Sequence, residues 1–182
     1  LITMKIALCF WGLTRSLKYT INSIKKNILQ PLDDGNIEYK IFVHSFSFNS
    51  IYNNPRAEER NIALDFDEYT LLNPDFVEIE DQDKVKQEID LHKYRSQPDP
   101  WESNYTCLDN FLCAMYSKRQ LGIMVNHSNI EFDYIVYLEP TSPFRTIETV
   151  THSLKKCLSD DSINSFLVVK PNKEVIGVLN GE

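Results

Sequence analysis

The sequence predicts a three-layer α/β domain, a mostly parallel sheet with helices on both faces. Three observations lead there. Residues 5–11 form a nearly continuous apolar run that stops at Gly12, as expected of a strand buried on both faces. Apolar runs of this kind then alternate along the chain with segments of helical periodicity. Short turns rich in Gly, Asp, Asn and Pro separate them, the pattern of strand–helix–strand units.

The elements follow in order. Leu17, Ile21, Ile24 and Ile28 recur at helical spacing with Lys18, Lys25 and Lys26 on other faces, which predicts an amphipathic helix ending before Pro31. Asp33, Asp34, Gly35 and Asn36 supply turn chemistry, and residues 39–44 read as the second strand. Between residues 45 and 73 the pattern is irregular, with a loop at Asn53, Asn54 and Pro55 and a short helix expected over residues 57–64. Residues 76–80 alternate as a half-exposed strand, and residues 81–94 read as a charged surface helix carrying Val85 and Ile89. Pro98 and Pro100 force a loop. The strongest helical pattern spans residues 104–121, with Leu108, Phe111, Leu112, Met115 and Tyr116 as its expected apolar face. Residues 132–138 provide a central strand, residues 147–158 another amphipathic helix, and residues 165–169 and 175–179 two further strands.

Composition limits the function classes. The 182 residues fit one domain over residues 1–182, and 42% hydrophobic with 25% charged residues is ordinary for a folded protein. A formal charge of −7 argues against a general nucleic-acid binder, which needs clustered Lys and Arg. One Arg and a few backbone amides still suffice for a single small anion. Cys9, Cys107, Cys113 and Cys157 are scattered without zinc spacing, so they are read as free thiols of a reducing, cytoplasmic compartment. No apolar run approaches the length of a membrane span.

In a parallel sheet, ligands sit beyond the carboxyl ends of the strands, near the point where strand order reverses. Two loops belong there. The first is Trp11, Gly12, Leu13, Thr14, Arg15 and Ser16. Gly12 lets backbone approach a ligand, the following helix offers its first amides, and Arg15 can give paired hydrogen bonds to a phosphate. Helix capping by Thr14 or Ser16 is the alternative reading of the same residues. His44, at the end of the second strand, is a further base or nucleotide contact. The second loop is Glu139, Pro140, Thr141, Ser142, Pro143, Phe144, Arg145 and Thr146. Its prolines hold the Thr141 and Ser142 hydroxyls and the Arg145 fork in place before a ligand arrives, which suits a sugar; a plain strand-to-helix turn with Thr146 as cap is the alternative. Trp101, in the Asp99-Pro100-Trp101 segment, is either an aromatic platform for a sugar or base or an anchor of its loop. His92, His127 and His152 read as exposed, and no ordered Ser, His and Asp set marks a hydrolase.

Residues 134–146, YIVYLEPTSPFRT, resemble the strand-and-loop signature LLQPTSPLRT of the CMP-sialic acid and CMP-Kdo cytidylyltransferases, with Glu139 where that family has Gln. The resemblance covers the last fifty or so residues and implies sugar contacts at Thr141, Ser142 and Arg145. The Gly-, Ser-, Lys- and Arg-rich nucleotide loop that opens those enzymes has no counterpart in residues 11–16. Over the first two-thirds, residues 10–17, 42–46, 54–58, 94–96 and 99–101 look instead like glycosyltransferase-like proteins of large DNA viruses and marine microbes. Both resemblances imply one fold, the Rossmann-like nucleotide-diphospho-sugar transferase or GT-A type. They imply a transferase that binds a nucleotide-sugar or nucleotide and a carbohydrate acceptor, with Mg2+ or Mn2+ at the position of Glu139. Because both families place catalytic groups after the last strand seen here, the resemblance also implies a chain cut short at Glu182 or a homo-oligomer that completes the site.

Overall fold

The computed structural model describes residues 4–49, 51–54 and 58–138, together with 152, 156 and 159. Four parallel strands form its sheet: β1 (Lys5–Trp11), β2 (Glu38–Ser47), β5 (Phe76–Asp81) and β6 (Tyr134–Leu138), in the spatial order β5-β2-β1-β6. Each of the four coincides with a run expected from the sequence. A separate antiparallel pair, β3 (Tyr52–Asn54) and β4 (Glu59–Ile62), follows the end of β2.

Period-two alternation along β1 decides what covers the sheet. Ile6, Leu8 and Phe10 point to one face and pack with Leu17, Ile21 and Ile24 of helix α1 (Leu17–Ile24). Ala7 and Cys9 point to the other and pack with Leu121 and Val125 of helix α4 (Thr106–His127). Helices therefore lie on both faces, and each large side chain so buried stabilises the fold by ~1.5–3 kcal/mol. The phenyl rings of Phe42 and Phe76 stack at 4.5 Å between β2 and β5 on the α4 face.

Four elements differ from expectation. The first helix does not stop before Pro31: a π-helical turn (Lys25–Leu29) leads into α2 (Gln30–Asp34), where Pro31 occupies the first turn and needs no amide partner. The gain is Leu32, buried at 2% exposure against the same core. In place of a helix over residues 57–64, β4 pairs antiparallel with β3, with positive φ at Glu58 before the strand and at Asn61 within it. The helix expected over residues 81–94 ends early. Helix α3 (Gln82–Glu88) is capped by the Asp81 carboxylate, but Ile89 is extended and only a 3-10 turn (Leu91–Tyr94) follows.

The fourth difference is rotational. α4 turns Cys113, Ser117, Leu121 and Val125 to the sheet, whereas Phe111 of the expected stripe is 55% exposed. Small residues at 113 and 117 let the helix sit close over Phe46 and the end of β1, and close packing outweighs the larger apolar area of the other face. Of the expected helix over residues 147–158, His152 and Lys156 are described, both helical and exposed. The strands expected at 165–169 and 175–179 lie outside the described residues.

Among the described residues no helix is long and apolar enough to cross a membrane. Cys9, Cys107 and Cys113 are free thiols. Burial pushes the Cys9 thiol up to about 12 and that of Cys113 to about 11. At pH 8 roughly one Cys9 in ten thousand is then a thiolate. Alkylation of the native protein followed by mass spectrometry is expected to modify Cys107 and leave Cys9 and Cys113 untouched until denaturant is added. Fast labelling of Cys9 in the native state would contradict this packing.

Candidate functional site

β1 and β6 are neighbours and run in the same direction, with Phe10 opposite Leu138. The loop after Trp11 and the chain leaving Leu138 thus start from one rim of the sheet. The order also reverses there: from β1 the chain steps to β2 and β5 on one side and returns to β6 on the other. This is the crevice position of doubly wound sheets. α4 runs against the strands, since Val125 and Leu121 pack at mid-sheet while Ser117 meets Gly12 at the rim. Its turns before Cys113 consequently overhang the strand ends, reaching ~10 Å beyond at 1.5 Å per residue.

The rim is held by a polar network. Gly12, with φ of 87°, donates its amide to Ser117 Oγ at 2.9 Å. No atom lies within 4 Å of where a Cβ would sit, so glycine is needed for its backbone angle, not for space. His44, fully buried on β2, places Nδ1 2.8 Å from Ser117 Oγ and Nε2 2.7 Å from Glu80 Oε2. Ser117 donates to the His44 carbonyl at 2.9 Å, and Tyr116 donates to Glu80 Oε1 at 3.1 Å. Burial, and then the charge of Glu80, push the Tyr116 phenol up. With the serine hydroxyl spent on the carbonyl, Nδ1 is the donor toward Ser117.

Serine, histidine and glutamate meeting in this way look like a hydrolytic set, which the sequence alone did not reveal. Their geometry does not support one. Ser117 is fully buried, its oxygen accepts two hydrogen bonds and gives one, and no face of it is open to a carbonyl substrate. The network ties together β1, β2, β5 and α4 at the rim. His44 is thereby placed under the loop as a support, not in it as a contact. A polar residue in the middle of an otherwise apolar helical stripe was the only trace of Ser117 in the sequence.

The anion cradle expected at Arg15 and the first turn of α1 is assembled, but its donors are engaged. Arg15 pairs with the Glu59 carboxylate of β4 and lies over the Tyr52 ring of β3 at 5.7 Å. The helix does not offer open amides: Leu17 and Tyr19 donate to the carbonyls of Thr14 and Ser16, and the Lys18 amide donates to Glu68 at 3.3 Å. Glu68, 4% exposed, also meets Lys18 Nζ at 3.3 Å. It satisfies the helix N-terminus as an anion would. Capping by side chain is not seen either, because Ser16 stands at the cap position without such a bond and Thr14 is buried at 3% exposure. Glu59, Glu68 and Tyr52 were missed because nothing in their sequence surroundings links them to a loop more than thirty residues earlier.

No family model, curated protein or solved structure matches this chain.

The remaining predicted residues fall into two groups. Trp101 is 50% exposed, in a loop organised by Asp99, whose oxygens accept from the amides of Trp101, Ser103 and Tyr105 and from the Ser103 hydroxyl. These bonds offset the positive φ of Glu102, Asn104 and Tyr105, 48°, 51° and 63°. Glu139, Thr141, Ser142 and Arg145 lie outside the described residues. Among the described residues no group of three or more His, Cys, Asp or Glu is placed to hold a metal ion. The rim carboxylates Glu59 and Glu80 are committed to Arg15 and to His44 and Tyr116, so the metal expectation still rests on Glu139.

The amide of Tyr105, followed by the other donors, holds the Asp99 carboxyl below its ordinary 3.8. A depressed carboxylate contributes order that is complete above the unfolded value and is lost as pH falls through the folded one. The Ser103 and Tyr105 amide resonances are therefore expected to stay constant from pH 6 to the ordinary carboxylate range and to move only below it. Titration of both amides at or above 3.8 would rule this arrangement out.

Proposed function

We propose that this chain is the nucleotide-sugar-binding domain of a glycosyltransferase with the GT-A, nucleotide-diphospho-sugar transferase type of fold, passing a sugar to a carbohydrate acceptor. The observation that carries the reading is the adjacency of β1 and β6 where strand order reverses. It sets the start of the Gly12–Arg15 loop beside Leu138, where the chain leaves β6, and the reading takes one ligand to span this loop and the Thr141–Arg145 segment. In this reading Arg15 meets the phosphates, Thr141, Ser142 and Arg145 read the sugar, and Trp101 lies against the sugar or base. The protein's contribution is orientation of the donor and stabilisation of charge on the departing diphosphate. Gly12, fixed by Ser117, keeps the phosphate loop in one shape before ligand arrives. A divalent ion held through Glu139 would add Lewis-acid stabilisation of that diphosphate.

Titration calorimetry with UDP-glucose, GDP-mannose and CTP, each with and without MnCl2, tests the reading. Binding of a nucleotide-sugar supports it. Binding of CTP alone favours the cytidylyltransferase-like alternative to which the 134–146 segment points, and no binding under any condition sinks both in favour of a module that kept the fold without the ligand.

A further inference from the structure

The one arginine at the rim loop is not idle in the free protein. Its partner Glu59 sits on a hairpin of three- and four-residue strands that pairs only with itself, outside the main sheet. So short a two-stranded unit is at best marginally stable without other support. Its support here is local: Tyr52 packs on Phe48 at 6.1 Å, and Arg15 clamps both strands by stacking on Tyr52 and pairing with Glu59. On the other side an open apolar hollow of about 270 Å³ lies against Phe48, Ile51, Ile62, Leu64 and Phe66, with no described residue filling it. Glu59 differs in this respect from Glu68, the other carboxylate of the cradle. Glu68 is 4% exposed and fixed at the start of α1, whereas the Glu59 side chain is 32% exposed.

We propose that Glu59 is an exchangeable counter-ion of Arg15: a phosphate group of the ligand takes its place on the guanidinium, and the β3–β4 hairpin is released as it does so. The proposal rests on the reading that Arg15 receives a phosphate. Its physical basis is competition for one fork. The Arg15 Nη1 donor that meets the Glu59 carboxylate cannot at the same time serve a phosphate, and phosphate carries more charge. The ligand affinity is lowered by whatever the internal pair is worth, and the clamp on the hairpin is lost whenever ligand is bound.

Inorganic pyrophosphate, used on the full chain without added metal, isolates this step from recognition of base or sugar. Glu59→Gln keeps the shape and removes the charge, and it is expected to bind pyrophosphate about two- to fivefold more tightly than the unmodified protein. The double variant Arg15→Ala, Glu59→Gln loses that gain. Hydrogen exchange on the unmodified protein gives a second readout, faster exchange over residues 52–62 on adding pyrophosphate. Unchanged or weaker binding by Glu59→Gln, or exchange that slows over the hairpin, overturns the proposal. Should pyrophosphate behave as stated while UDP-glucose, GDP-mannose and CTP fail to bind either protein, the exchange stands and the nucleotide-sugar reading falls.

Discussion

Replacing His44 by Leu lowers the unfolding free energy by about 2–4 kcal/mol, read from urea denaturation. Volume is nearly conserved, so the cost is not a cavity. It comes from hydrogen bonds lost by Ser117, which is fully buried, and by Glu80, whose side chain is 27% exposed. Ser117 Oγ loses the Nδ1 donor, and Glu80 Oε2 loses Nε2, while both stay anchored by their other bonds to Gly12 and Tyr116. Losing one such hydrogen bond costs about 0.5–1.5 kcal/mol, and losing one to a charged group about 1.5–3 kcal/mol. Tyr116→Phe removes the hydroxyl's hydrogen bonds with Glu80 and Gln120 at the partly exposed end and is expected to cost about 1–2 kcal/mol. A double-mutant cycle between His44 and Ser117 should show coupling, since both act on the same proton arrangement. If His44→Leu were as stable as the unmodified protein, the network would be a coincidence of placement.

Arg15→Ala weakens binding of the preferred nucleotide-sugar by about 10- to 100-fold, because a charge-assisted contact to phosphate is worth ~1.5–3 kcal/mol. Stability changes little. The side chains of the ion pair lost with it are 23% and 32% exposed, and pairs open to solvent contribute about 0–1 kcal/mol. Arg15→Lys keeps the charge without the fork and should fall between the two. Calorimetry at one ionic strength, alongside a thermal melt, separates the effects: lost affinity with an unshifted melt is expected, and full affinity in Arg15→Ala would remove phosphate recognition from this loop.

Much of the framework was legible because it rests on local periodicity. The run over residues 5–11 has to be buried on both faces, and Leu17, Ile21 and Ile24 have to share one helix face, whatever surrounds them. The strands expected at 39–44, 76–80 and 132–138 follow from the same reasoning, and the structure has strands at 38–47, 76–81 and 134–138. Propensity misled where a tertiary demand overruled it. Leu32 drew the first helix past Pro31. Residues 59–62 pair with β3, where Glu59 meets an arginine forty-odd residues earlier and Tyr52 packs on Phe48, partners that no local pattern reveals. α4 rotated away from its most apolar stripe because Ser117 has partners on β1 and β2.

The sequence by itself determined an α/β chain with parallel strands, a glycine needed at the end of the first, and an arginine three residues later. These are properties of short segments, encoded in spacing and residue type. Only the tertiary structure decided that His44 is a buried support, that Ser117 and Glu80 hold it, and that Glu59 and Glu68 already occupy the donors of the cradle. Hydrogen-bond partners on different elements are chosen by which groups lose their water together. That choice depends on distances across the fold, which no local pattern contains.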